Sequence, residues 1–296
     1  MTRGAWPVSI PIAAAIISAR PSVHAEMIAA NALACLLMEI ATWPKPGLVS
    51  HVDNGSHDDM DADMFRASAS AIAPYFSALA EAGGRGAGMG RLREIGLEAE
   101  MAMFAATSGV NTHRGAIFGM GLLCAAAGAR AAGVVSPART LGATVSSLWG
   151  ESIIDGPVLL HSNGSHVRRR YGAGGARMEA ALGFPSVYEI GLPRLRLAAG
   201  IDASDAEAIR VEACFSLIAV VEDTNLLHRG GRAGLAFARA AARAFIRQGG
   251  IARPGWRDHA LHIHESFVTR RLSPGGSADL LAMSLFVESW EREQQW

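Results

Sequence analysis

Apolar residues recur along this chain at helical spacing, in long stretches broken by short polar boundaries. MIAANALACLLMEIA reads as a helix capped by Ser22 and stopped by Pro44 and Pro46. Asp61 caps the next, from about residue 62 to 82, with Gly83 and Gly84 after it. Further helices are predicted over about 92–106, from Thr112 or His113 to Gly133, and from Ser136–Pro137 to about Trp149. The capping box Ser204–Asp205–Ala206–Glu207 opens a helix to about Val221. Two more run from about Ala233 to Gln248, ending at Gly249–Gly250, and onward from near Ser277. Strand-like alternation is almost absent, and the best candidate, SIIDGPVLL, is short and broken by Gly-Pro. The pattern therefore predicts an all-α single domain of roughly ten packed helices over residues 1–296, with 1–21 as a flexible N-terminal extension. Gly115, Ala116 and Gly119 predict a close helix crossing.

Composition sharpens this. Hydrophobic residues make up 50% of the chain and aromatics 6%. Ala- and Gly-rich helices pack through small side chains, and such faces also suit a homodimer interface. Lys+Arg and Asp+Glu number 27 each, so no bulk field recruits nucleic acid or an anionic membrane. No uncharged apolar run reaches the ~20 residues of a membrane span. Residues Val8 to Ala19 imitate an export signal, but Pro11, Arg20 and Pro21 break the imitation. Cys35, Cys124 and Cys214 lie far apart in apolar patterns, with no CxxC, and read as buried thiols of a cytoplasmic protein rather than nucleophiles.

An anionic ligand must then be held by local clusters, and polar residues gather at helix boundaries. In TWPKPGLVSHVDNGSHDDMD, Lys45 is fixed between two prolines, which suits a point charge for phosphate. Asp53, His57, Asp58 and Asp59 follow, a density of oxygen ligands that suits Mg²⁺, or simply a polar loop before a helix cap. In SGVNTHRGAIFG, Asn111, Thr112, His113 and Arg114 stand at a helix start, an anion cradle or a plain Thr cap. The Arg168–Arg170 run reads as a solvated face, whereas Gly172 to Arg177 offers close backbone approach and a guanidinium fork. DTNLLHRGG supplies Asp223, Asn225, His228, Arg229, Gly230 and Gly231, just after Glu222. A helix running through Val221 would put those acids at its C-terminal end, where the dipole favours a cation. A structural C-cap explains one glycine and not the rest. LSPGGSADLLA is only loosely a phosphate loop.

Taken in order, PKPGLV with NGSHDDMD, GVNTHRGAIF with GLLCAAAG, YGAGGAR with GFP, DTNLLHRGG, and LSPGGSADLLA resemble the triphosphoribosyl-dephospho-CoA synthase family, over roughly Thr42 to Ala282. Arg114 stands where Lys is expected, and Met178 where Gly is common. The resemblance implies an all-α fold and a transferase. The 2′-hydroxyl of 3′-dephospho-CoA attacks C1 of the ATP ribose, adenine leaves, and the triphosphate stays on the transferred sugar. The β-linked substrate and α-linked product of such enzymes imply a single inverting displacement. The product is the prosthetic-group precursor passed by a downstream transferase to an acyl carrier protein subunit, in malonate decarboxylase or citrate lyase. Malonate decarboxylase is favoured because no transferase domain is fused here.

On that basis Lys45, Arg114 and Arg229 are expected at the triphosphate, helped by Asn111, Thr112, Asn225, Gly230 and Gly231, with Arg177 on a second phosphate group. Mg²⁺ is expected on Asp58, Asp59 and Asp223. Asp223 or Glu222 would offset charge at C1, His113 or His228 would protonate adenine, and His57 or Asp53 would take the hydroxyl proton. Rival readings are a metal-dependent nucleotide phosphohydrolase built on His51, His57 and Asp58, a non-catalytic nucleotide-binding partner, or the same chemistry on another acceptor.

Overall fold

The computed structural model describes residues 22–157, 167 and 170–293, and among them the chain is helical with no strand. The helices are α1 (Val23–Ile40), α2 (Ala62–Gly84), α3 (Met89–Ala106), α4 (Arg114–Ala131), α5 (Leu141–Ile154), α6 (Gly175–Ala181), a π-helical turn (Val187–Gly191), α7 (Leu192–Ile201), α8 (Ala206–Val220), α9 (Thr224–Arg247), a 3₁₀ turn (Gly250–Ala252), α10 (Trp256–Thr269) and α11 (Gly275–Glu293). Their buried apolar side chains form one connected core. The expected N-terminal extension, the export-like run, and Arg168 and Arg169 lie outside the described residues.

The central helix is α4. It is buried on every side from Ala116 to Arg130 apart from Phe118, which fits a helix without a polar face. Small residues let it be crossed closely. A Cβ on Gly83 would lie 1.9 Å from the Ala125 carbonyl oxygen, and one on Gly128 the same 1.9 Å from that of Ala80, so α2 and α4 meet backbone to backbone. Gly83 and Gly84 are thus part of α2, not its stop signal. At the other end of α4, a Cβ on Gly119 would stand 2.5 Å from the Met283 sulfur and one on Gly115 would stand 1.9 Å from Asp279 Oδ2. The predicted glycine crossing is therefore made with α11, and it presses a carboxylate against the first turn of α4.

Several boundaries differ from the sequence reading, each for a capping reason. Ser136 only closes a turn, accepting the Ala138 N–H at 3.3 Å, and α5 starts later under Thr140. Ser204 bonds Asp202, so Asp205 caps α8 by accepting the Ala208 N–H at 2.9 Å. The start of SIIDGPVLL is helical in α5, and its last residues lie outside the described set. By length and mean hydropathy, 1.5, α1 is apolar enough to cross a bilayer. Here it packs against α2, α4 and α11, with Ile28, Ala32, Cys35 and Ile40 buried.

The largest shift concerns DTNLLHRGG. The preceding helix, α8, ends at Val220, and α9 begins at Thr224 with Asp223 as its N-cap. Asp223 to Asn225 therefore face the positive end of a helix dipole, not the negative end the sequence suggested. Gly231, at φ 60° and ψ −160°, breaks α9 internally.

Candidate active site

A cavity of about 1250 Å³ opens where the starts of α4, α9 and α11 meet the ends of α1 and α5 and the turn before α2. That exceeds the roughly 300–1,000 Å³ of a pocket for one drug-sized ligand. His57 and Asp59 reach its wall from the loop before α2, and Asn111 to Arg114 from the start of α4. Arg177 comes from α6, and Glu222, Asp223, Asn225, His228 and Arg229 from the α8–α9 junction. Ser273, Gly275, Gly276 and Asp279 complete it from the start of α11.

Two helix starts are tied by one carboxylate. Asp223 Oδ1 accepts the N–H groups of Asn225 at 2.9 Å and Leu226 at 3.3 Å, capping α9. Its Oδ2 accepts the Ser277 N–H at 2.8 Å and hydroxyl at 3.0 Å, holding the first turn of α11. Burial pushes this carboxyl above its ordinary value, while the four donors oppose the rise. The start of α4 is held differently. Asn111 Oδ1 accepts the Arg114 N–H at 3.2 Å, and the Thr112 hydroxyl donates to Ser68 Oγ at 2.7 Å. Ser68 in turn bonds His113 Nδ1 at 2.8 Å. Burial drops the His113 pKa to about 3, so the ring stays neutral.

This geometry revises most of the expected roles. Lys45 is 0% exposed and sits behind the wall, its ammonium bonded to the Glu39 carbonyl at 2.7 Å and to Glu39 Oε1. It cannot reach a phosphate without abandoning that pair. Asp53 is spent on its own loop, accepting from Trp43 Nε1 at 3.2 Å and Gly55 N–H at 2.9 Å, and facing His264. Both nitrogens of His57 are engaged, Nε2 with Ser273 Oγ at 2.9 Å and Nδ1 with Arg229 at 3.0 Å. Burial and Arg229 hold its pKa down, so it is a poor base. Arg229 also donates to the carbonyls of Ser56 and Arg271, bracing the rim. Arg177 donates to the carbonyls of Ile154, Gly156 and Pro157 and thereby caps the C-terminal end of α5. Gly230 packs on Leu272 and Gly231 makes the α9 break, and neither lines the cavity.

The expected metal set does not form. Asp58 is on the surface, its side chain 82% exposed and paired with Arg271 at 3.1 Å. Asp223 already receives four donors, and only Asp59 of the three remains open on the wall. Among the described residues no three His, Cys, Asp or Glu side chains gather as a metal site. His51 is exposed, so the phosphohydrolase set of His51, His57 and Asp58 is not assembled either. A catalytic thiol is equally disfavoured. Cys35, Cys124 and Cys214 are buried, and burial raises the first and last to about 12.

Two wall residues escaped the sequence reading. Glu39 lies in the last turn of α1, inside an apolar helix, and Asp279 lies just past the first turn of α11. Asp279 lines the cavity and is half-buried. Burial and the nearby Glu39 and Asp223 carboxylates push its pKa well above the ordinary 3.8, against one N–H from Ala116. Glu39 had a signal: a lone acid in an apolar run must find a buried partner. Glu100, which pairs with Arg114 Nε at 2.9 Å, had none.

Comparison with known proteins adds a family. The model described as "CitG: ATP:dephospho-CoA triphosphoribosyl transferase" matches residues 25–296. A probable 2-(5''-triphosphoribosyl)-3'-dephosphocoenzyme-A synthase of Azotobacter vinelandii is 41% identical over 92% of this chain and 94% of its own length. One of Pseudomonas paraeruginosa is 40% identical over 89% and 90%. A 2-(5''-triphosphoribosyl)-3'-dephosphocoenzyme-A synthase of Pectobacterium atrosepticum is 38% identical over 87% of each chain. No solved structure matches.

Proposed function

This chain belongs to the ATP:dephospho-CoA triphosphoribosyl transferase family, and on that premise we propose that it joins the 5-triphosphoribosyl group of ATP to the 2′-hydroxyl of 3′-dephospho-CoA and releases adenine. One observation carries the reading. Five motifs scattered along the sequence all send residues to a single cavity: His57, Arg114, Gly175, Asp223 and Asp279 stand for them in chain order. A cavity that size has room for more than one nucleotide.

Its two kinds of wall suit the two kinds of charge in the reaction. Exchange at an anomeric carbon passes through an oxocarbenium-like state. The carboxyl group of Glu39 faces the cavity, where cationic character at C1 would be stabilised. Arg114, at the start of α4, supplies donors and the helix dipole for the triphosphate, with Arg229 at the rim. Mg²⁺ enters in this reading as the counter-ion of the triphosphate, since Asp58, Asp59 and Asp223 do not form a centre for it. The buried free thiols support a cytoplasmic enzyme. The product is destined for an acyl carrier protein, with malonate decarboxylase favoured over citrate lyase. Offering the product to each carrier subunit with its transferase separates the two.

Chromatography of the protein incubated with ATP and 3′-dephospho-CoA tests the reading. Free adenine in step with a triphosphoribosyl adduct is expected. Phosphate release instead would point to hydrolase chemistry, and an adduct only with a different alcohol would change the acceptor.

A further inference from the structure

We propose that Glu39 and Asp279 are the acid–base pair of the transfer, Glu39 taking the proton of the attacking hydroxyl and Asp279 giving one to the departing adenine. The proposal rests on the family reaction above and gives roles to one residue outside the motifs, Glu39, and one inside the last of them, Asp279.

The two carboxyl groups reach one cavity from α1 and α11, and their surroundings set them apart. Glu39 is paired with the entirely buried ammonium of Lys45, which grips both its side chain and its carbonyl. Lys45 is fixed in turn, because its own carbonyl accepts from His264 Nδ1 at 2.7 Å. A carboxyl group on a cavity wall with an immobile counter-charge behind it is aimed. Among the described residues no Lys, Arg or His forms an ion pair with Asp279. Glu39 from α1 and Asp223 from the α8–α9 junction both face it with negative charge, and α4 offers only the Ala116 N–H. Gly115 is the contact that admits it, since any side chain there would occupy the place of Oδ2. Burial and those two carboxylates push the Asp279 carboxyl above its ordinary value, toward the protonated form. Two carboxyls on one cavity, one gripped by a cation and one facing like charge, are the pattern of an acid and a base.

The proton count closes within the pair. The hydroxyl oxygen forms its bond to C1 as the C1–N9 bond breaks, with the electron pair leaving on N9. The hydroxyl proton goes to Glu39, and the Asp279 proton goes to a ring nitrogen of the base, which departs as neutral adenine. Glu39 is left protonated and Asp279 ionised, and one proton passed back between them restores the starting state. Three of the sequence candidates meet these demands less well: burial keeps His113 neutral at any pH well above 3, and His57 and Asp53 have their acceptor atoms occupied.

The test uses ATP and its N7-methylated analogue, whose base departs neutral without being protonated. Asp279→Asn is expected to lose about 10²–10⁴-fold in kcat with ATP yet to approach wild type with the methylated substrate. Glu39→Gln is expected to lose about as much with both, since hydroxyl activation is needed in each case. Circular dichroism and retained ATP binding check the fold, and Asp279→Ser is run beside Asp279→Asn so that a folding failure of one leaves the comparison intact. Equal losses with both substrates for the Asp279 variants, or wild-type-like turnover of Glu39→Gln, overturn the pair. Wild-type protein that releases no adenine at all overturns the family reading instead.

Discussion

Asp223 Oδ2 accepts both the backbone N–H and the hydroxyl of Ser277, at 2.8 and 3.0 Å, so the N-cap of α9 is also the clasp of α11. A residue expected to bind metal or to offset charge at C1 turns out to hold two walls of the cavity together. Asp223→Ala removes an N-cap and strands buried donors, and should cost about 2–4 kcal/mol. Urea unfolding measures this. An Asp223→Ala midpoint equal to that of wild type would mean that the clasp contributes nothing.

Lys45 is the clearest reversal. A lysine between prolines reads as a phosphate contact, yet here its charge is buried against Glu39. Lys45→Met leaves that carboxylate uncompensated and should destabilise by about 3–5 kcal/mol. Adding Glu39→Gln should recover much of the loss, because a neutral pair has no stranded charge. A double mutant no more stable than Lys45→Met would contradict the ion-pair account.

Sequence and structure agree where local physics decides the outcome. Ser22 and Asp61 cap the helices predicted for them, and the glycine crossing at Gly115 and Gly119 exists. Residues from all five motifs also line one cavity. Individual roles were less legible, because they depend on partners far away in sequence. Arg177 reaches back to the end of α5, and His57 across to Ser273. Asp223 was misplaced for a local reason: its own capping bond ended one helix and started another.

Arg114 and Arg177 both line the cavity, but they should behave oppositely. Arg177→Ala loses bonds to the carbonyls at the end of α5 and should lower stability by about 1–3 kcal/mol with ATP affinity unchanged. Arg114→Gln should raise the Kd for ATP about 10–100-fold, the worth of one charge-assisted contact, with stability nearly intact. Isothermal titration beside thermal unfolding reads both quantities. The reverse pattern would exchange the two roles.

His113 makes a pH prediction. Its folded pKa lies near 3, below the ordinary 6.5, so the unfolded chain binds the proton more readily. The stability this brings is present above 6.5 and is lost as pH falls from 6.5 toward 3. His113→Asn should flatten that part of the stability curve, whatever its effect at pH 8. An unchanged slope between pH 6 and 4 would show that the buried ring is not what titrates.

The central claim is that a single cavity holds ATP with its ribose beside the carboxylates and its triphosphate at the start of α4. An acceptor lacking the 2′-hydroxyl cannot complete the transfer, so it leaves ATP intact in the site. Diffraction from crystals grown with ATP and this 2′-deoxy acceptor should show C1 next to Glu39 and Asp279 and the phosphates at Arg114. Nucleotide density outside the cavity, or a ribose remote from both carboxyls, would contradict the account.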